Sequence, residues 1–209
     1  MTLLIESQYW PSVSYFALMA QFQDVQVEVY EHFVKQTYRN RCRILTANGV
    51  ENLIVPVVHG GHRIPMREVQ IDYTQNWVKQ HWGAIVAAYA KAPYFEYLAA
   101  DVENILKKKT TFLFDLNAEI LTLCLKWLRL NPRLNMTQSY QAKPESGQFD
   151  ARSQIHPKKS DLGNILETQV VYKQNFGEVF VPHLSILDLL MCQGTEAKFY
   201  IERTTTRIR

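Results

Sequence analysis

The chain has 209 residues, a formal net charge of +3, 47% hydrophobic and 21% charged residues. That balance buries a full core and excludes extensive disorder, and the small net charge does not call for a large nucleic-acid surface. Cys42, Cys124 and Cys192 are widely spaced among apolar neighbours and read as reduced core residues, with no zinc spacing and no cofactor or metal expected. The N-terminus MTLLIESQYWP lacks a basic leader region, and no apolar run reaches the length of about 18 residues that a membrane span needs, so a cytoplasmic protein without membrane insertion is expected.

In chain order, LLIES reads as a short strand and SVSYFALMAQF as a helix opened by a serine. DVQVEVY alternates Val25, Val27 and Val29 against Gln26 and Glu28, the two-residue period of a strand. RCRIL, NLIVPVV and REVQID follow as strands, and the turns Asn48-Gly49 and Gly60-Gly61 between them predict antiparallel pairing. From Gln75 to Pro93 the period becomes helical, with Val78, Trp82, Ile85, Val86 and Tyr89 on one stripe. Two more helices read from YFEYLAADVENILKKK and FLFDLNAEILTLCLKWL. LNMTQSY reads as a strand, residues 142–164 as a long polar loop, ETQVVY as a strand and LSILDLLMCQG as a helix capped by Ser185, before a frayed tail at 203–209. The fold class predicted is α+β: one domain over residues 1–209, with a mostly antiparallel N-terminal sheet packed by central helices and a C-terminal strand and helix.

Three constellations could carry chemistry. An extended YRNRCRIL projects Arg39, Arg41 and Arg43 from one face, with Lys35 just upstream and Asn40 as a polar donor; arginine forks suit phosphate or carboxylate oxygens. The plainer reading is a solvated edge strand whose charges prevent aggregation. Glu31 and His32 end the alternating strand, where a carboxylate or imidazole could act as a general base. Trp77 and His81 share a helix face apart from the Val78/Trp82 stripe, suiting a ring that stacks and an imidazole that titrates near neutrality. HPKK at 156–159 is a further cationic cluster that could close over an anion, or simply stay solvated. Ser185 and Asp188 have the spacing of a helix cap rather than of a hydrolase, and no Gly-rich phosphate loop is present.

Taken together and in order, E.F.KQTYRNR, LIVPV, W...H, AYAKAPYF, DLN, VYKQNF and FVPHLSILDLL resemble the WbqC-like protein family, over nearly the whole chain from about Gln8 to Ala197. The likeness is strongest to its shorter, Bacteroidetes-type members. The resemblance carries over Glu31, Lys35, Tyr38, Asn40 and Arg41 from the first motif and Trp77 and His81 from the second. Tyr89, Pro93, Phe95 and Asn117 follow, then Tyr172, Gln174, Phe180, Pro182, Ser185 and Asp188 from the last motifs. His32 stands where longer relatives carry Gln, and the stretch between Asn135 and Gln169 is shorter than theirs.

The resemblance implies a role in O-antigen-type surface polysaccharide biosynthesis, as an N-acyl or glycine transferase acting on a nucleotide-linked amino sugar with an activated glycine donor. Combined with the residue reading, it expects Lys35, Asn40 and Arg41 on the phosphates and Trp77 stacked on the ligand. His81 or Glu31 is expected as the base, with Tyr38, Tyr172 and Gln174 completing the substrate site. Nucleic acid is not expected as a partner, tRNA as the glycine donor being the exception. The alternative expectation is a non-catalytic module that binds a polysaccharide precursor or a pathway enzyme.

Overall fold

The computed structural model describes residues 1–58, 63–158 and 170–204. In chain order its elements are β1 (Thr2–Glu6), α1 (Val13–Met19), β2 (Asp24–Glu28), β3 (Arg41–Thr46), β4 (Gly49–Ile54), α2 (Trp77–Tyr89), α3 (Phe95–Lys107), α4 (Leu113–Leu128), β5 (Arg133–Met136), β6 (Gln148–Asp150), α5 (Ile186–Gln193) and α6 (Ala197–Arg203). Leu3, Leu4 and Ile5 of β1 are all fully buried. A strand apolar at every position is covered on both faces, as the central strand of a parallel sheet is. The main sheet accordingly has the order β5–β2–β1–β6, and every pair in it is parallel.

This corrects the expectation of a mostly antiparallel N-terminal sheet: only β3 and β4 pair antiparallel, closed by the tight turn at Thr46 and Gly49. The physical reason lies in α1, which carries the chain back so that β2 pairs with β1 in the same direction, Leu3 beside Val25 and Ile5 beside Val27. Ser12 starts that crossover helix, its Oγ accepting from the Tyr15 N–H at 3.3 Å. The expected strand REVQID is instead a 3₁₀ turn at Met66–Glu68 followed by single bridges from Gln70 to Phe112 and from Ile71 to Val57. Gly60-Gly61 and residues 167–169 of ETQVVY lie outside the described residues, as do Lys159 and residues 205–209, whereas Val170 to Tyr172 form no strand. β6 lies within the polar stretch 142–164.

Helix α2 buries Trp77, His81, Ile85, Ala88 and Tyr89, so its inner face runs through Trp77 and His81. Val78 and Trp82, expected on the inner stripe, are only half-buried, and Trp82 stacks on Phe95 at 6.2 Å. Three apolar turns of α4 bury Leu116, Ile120 and Cys124, with Asn117 buried between them, and the helix ends where Arg129 adopts a left-handed conformation. Ser185 caps α5: its Oγ accepts from the Leu187 N–H at 3.3 Å and donates to the Trp10 carbonyl at 3.0 Å. One contiguous apolar cluster joins the sheet to all six helices. The three cysteines are free and buried within it.

Candidate functional site

In an open parallel sheet, the strand ends that release the chain toward crossovers form a natural crevice, and it lies where successive connections leave in opposite directions. Here β1 leads to β2 on one side and the later β6 returns on the other, so that point falls at the carboxyl end of β1. Both long strands end there in a buried acid, Glu6 on β1 and Glu28 on β2, 1% and 0% exposed.

Each acid is fully committed. Glu6 accepts from Gln8 Nε2 at 2.8 Å and from the Ser153 N–H at 2.9 Å. Glu28 accepts from the Tyr30 N–H at 2.9 Å, the Thr137 hydroxyl at 2.8 Å and Arg152 Nη1 at 3.1 Å. Arg152 spans the edge, forking onto Asp150 at 2.9 and 2.7 Å at the end of β6. Just beyond β2, Glu31 meets Arg39 in a two-pronged pair, Nε to Oε1 at 2.8 Å and Nη2 to Oε2 at 2.6 Å. Arg39 is 1% exposed and also reaches the Ser153 hydroxyl at 3.2 Å. Among these residues, four carboxylates face two guanidinium groups. Burial pushes the Glu31 carboxyl above its ordinary range; the Arg39 fork opposes that rise and the neighbouring Glu6 and Glu28 add to it.

Asn117, from α4, closes the edge by donating to the Arg39 carbonyl at 2.8 Å and the Ser7 hydroxyl at 3.1 Å. A crevice of about 40 Å³ opens beside it, between α4 and the ends of β2 and β5, with Ser7, Gln8 and Asn117 among its polar lining.

The remaining candidates fall elsewhere. Arg39 turns inward, so the expected stripe of three solvent-facing arginines does not form; Arg41 and Arg43 are half-buried on β3. Among the described residues Arg41 Nε, which is buried, has no hydrogen-bond partner, and Lys35 is exposed. Asn40 is a strut rather than a free donor, its Nδ2 bonded to the Val55 carbonyl at 2.8 Å. Tyr38 is buried and receives the Tyr9 N–H on its carbonyl at 2.9 Å. His32 is exposed and bridges to Pro65.

His81 does not lie in an open cleft. It is 4% exposed, its Nδ1 shares a hydrogen bond with the Tyr9 hydroxyl at 2.9 Å, and burial pushes the imidazole down to about 4, a backbone hydrogen bond at Ile54 opposing the drop. Burial holds the Tyr9 hydroxyl protonated. Trp77, 2% exposed, packs edge-on against His81 at 5.0 Å and offers no face for stacking. Tyr172 and Gln174 donate to Asp188 at 2.8 and 3.0 Å, joined by Tyr89 at 3.1 Å.

The chain matches the model of the WbqC-like protein family over residues 6–156 and 161–200. It belongs to that family. Rv1507c, an uncharacterised protein of Mycobacterium tuberculosis, is 31% identical to it, over 95% of this chain and 96% of that protein. No solved structure matches. Several positions of this WbqC-like chain that carry the resemblance are tied to one another: Glu31 is held beside the Asn117 strut through Arg39, and Tyr89, Tyr172 and Gln174 meet on Asp188.

Reading the sequence alone missed Glu6, Gln8, Glu28 and Arg152. The available signal was the shared ending of LLIE and VQVE, an acid closing each of two apolar strands, which only acquires meaning once the strands are known to be parallel neighbours. Among the described residues no cluster of acids, histidines and cysteines has the geometry to hold a metal ion, and no helix is long and apolar enough to cross a membrane.

Proposed function

We propose that the protein is an aminoacyl transferase, moving glycine onto the amine of a nucleotide-linked amino sugar in surface polysaccharide biosynthesis. Membership in the WbqC-like family supports the general biosynthetic role. The observation that carries the chemistry is the buried Glu31, held in one orientation by the Arg39 fork, with its carboxyl raised above the ordinary range by burial. Such a carboxylate keeps lone pairs beyond those the fork uses, and a carboxyl raised above its ordinary range is a stronger proton acceptor than a solvated one. The sugar amine loses its proton to Glu31 and attacks the glycyl carbonyl; the C–N bond forms as the bond to the donor breaks, and the departing group leaves with its electron pair. Arg41, half-buried on β3, and the exposed Lys35 supply cations for the diphosphate. His81 enters this reading as a support for Tyr9 and the hairpin strand β4, not as the base.

Mass spectrometry of nucleotide-linked amino sugars incubated with a glycyl donor, either glycyl-tRNA or a glycyl adenylate, tests it. The wild type adds one glycyl increment, and Glu31→Gln binds the sugar with the same thermal shift while turning over about 10²- to 10⁴-fold more slowly. Full turnover by Glu31→Gln removes the carboxylate from the mechanism. The second reading, a non-catalytic binder, is favoured by the occupation of both Glu31 oxygens by Arg39; ligand binding without any turnover selects it.

A further inference from the structure

A cavity of about 340 Å³ lies toward the end of helix α4 that is remote from the charged edge. Trp127, in the last turn of that helix, lines it and stands ten residues beyond Asn117, about 15 Å along the axis at 1.5 Å per residue. Tyr94 and Tyr97, at the start of α3, form a second wall, with ring centroids 6.3 Å apart and planes inclined by 49°. Among the described residues Trp127 makes no ring contact with either tyrosine, so the space the three share is left open instead of being filled by their own stacking. Leu98 and Leu190 complete an almost wholly apolar lining, and no residue of it carries a charge. Tyr94 is held in place: its N–H donates to the Met191 carbonyl at 3.1 Å, and its ring lies on the bare backbone of Gly194, where any side chain would collide with it. Tyr97, in contrast, is 79% exposed.

We propose that this cavity binds the planar ring of a nucleobase. Three aromatic side chains offer it π-faces, and stacking on such faces holds any base without asking for a polar lining. The volume stands at the lower end of the range for small-molecule sites, about 300–1,000 Å³, and suits one ring system rather than an extended ligand. A lining without charge gives a phosphate no partner, so the base is the part recognised. The exposed Tyr97 and Thr195 leave the cavity open to solvent, and the polar edge of a seated base keeps its water there instead of being buried without partners. The inference goes beyond the proposed function and uses none of its residues: a base is held here whether or not Glu31 takes a proton.

The test uses the full chain, labelled with nitrogen-15, and follows the indole N–H signal of Trp127 by NMR, identified by its loss in Trp127→Phe, during titration with adenosine. Glucose and N-acetyltryptophanamide are titrated separately. A single stacked ring binds in the millimolar range. A saturable shift of Trp127 with adenosine is expected while the signals of the buried Trp10 and Trp77 stay still, with no saturation by glucose and a weaker response to N-acetyltryptophanamide. Tyr97→Ala, at a position too exposed to matter to folding, weakens the affinity by about tenfold. Thr195→Phe, also from an exposed position, puts a ring of the chain's own at the cavity and abolishes the response. No saturation with adenosine, equal saturation by glucose, an equal or tighter response to N-acetyltryptophanamide, or unchanged affinity in Tyr97→Ala overturns the proposal. Absence of glycyl transfer with the adenosine response intact removes the transferase reading and leaves this one standing, and transfer without that response does the reverse.

Discussion

Two buried carboxylates, Glu31 and Asp188, show how differently the same group is used in one fold. Both are raised above the ordinary carboxyl range, by burial first, and both are held by several donors. Asp188 is surrounded by neutral donors from Tyr89, Tyr172 and Gln174, which ties the segment before α5 onto α2. Glu31 instead faces a guanidinium, within reach of other acids, and Arg39 links it to Asn117, whose buried Oδ1 has no hydrogen-bond partner among the described residues. A saturated neutral cage is a structural fastening, whereas an ionic edge with unmet hydrogen-bonding capacity is where a ligand gains most.

The contrast can be broken or sharpened by substitution. Removing the cation is expected to have the largest effect. Arg39→Met strands the Glu31 charge in the interior and costs about 3–5 kcal/mol in urea unfolding, while the double variant with Glu31→Gln recovers part of it. A loss confined to Arg39→Met, with no recovery in the pair, would mean that Arg39 acts through packing alone. Next comes acid. His81 titrates at about 4 in the folded chain against an unfolded value near 6.5, so the unfolded state binds the extra proton first. Stability contributed by the neutral ring is therefore complete above about pH 6.5 and falls by about 3 kcal/mol as pH drops to 4. His81→Gln flattens that limb of the curve; an unchanged slope would assign it to other groups, of which His183 is lowered by burial in the same sense.

At Asp188, Tyr172→Phe removes one donor of the cage and costs about 1.5–3 kcal/mol in the same unfolding experiment. Its ligand response should be unchanged, and a lost response would make the cage part of the site after all. Smallest is Lys35→Ala, which leaves the unfolding midpoint unaltered because the side chain is exposed, and weakens binding of the nucleotide-linked sugar in a salt-dependent manner.

How far the sequence led differs between these regions. The strand LLIE, the crossover helix opened by Ser12, the Asn48-Gly49 hairpin and the Ser185 cap were all legible, because each rests on local period or local capping. Parallel pairing was not, although strand, helix and strand were read in the right order, since the hairpin signals that followed drew the pairing toward antiparallel. Glu31 was singled out for the candidate site, but Arg39 was read as facing outward. An alternation rule applied to YRNRCRIL assumes that the strand has already begun at Arg39, whereas β3 starts at Arg41. Of the remaining partners, Glu6 and Glu28 meet through the β1–β2 register, and Arg152 joins them through pairing between segments more than a hundred residues apart, which no local pattern encodes.

That separation has a consequence for the birth of the molecule. Strand β1 gains β2 almost at once, but its other neighbour, with Thr2 beside Gln148 and Leu4 beside Asp150, is made only after two-thirds of the chain has been synthesised. Until then an apolar strand carries an open side, and closing so long a loop is slow and exposed to wrong pairings. Because Arg152 and Ser153 arrive with β6, the charged edge is completed only after that late strand has been made. A truncated or stalled chain would carry Glu6 and Glu28 at the ends of their strands without that part of their counterparts.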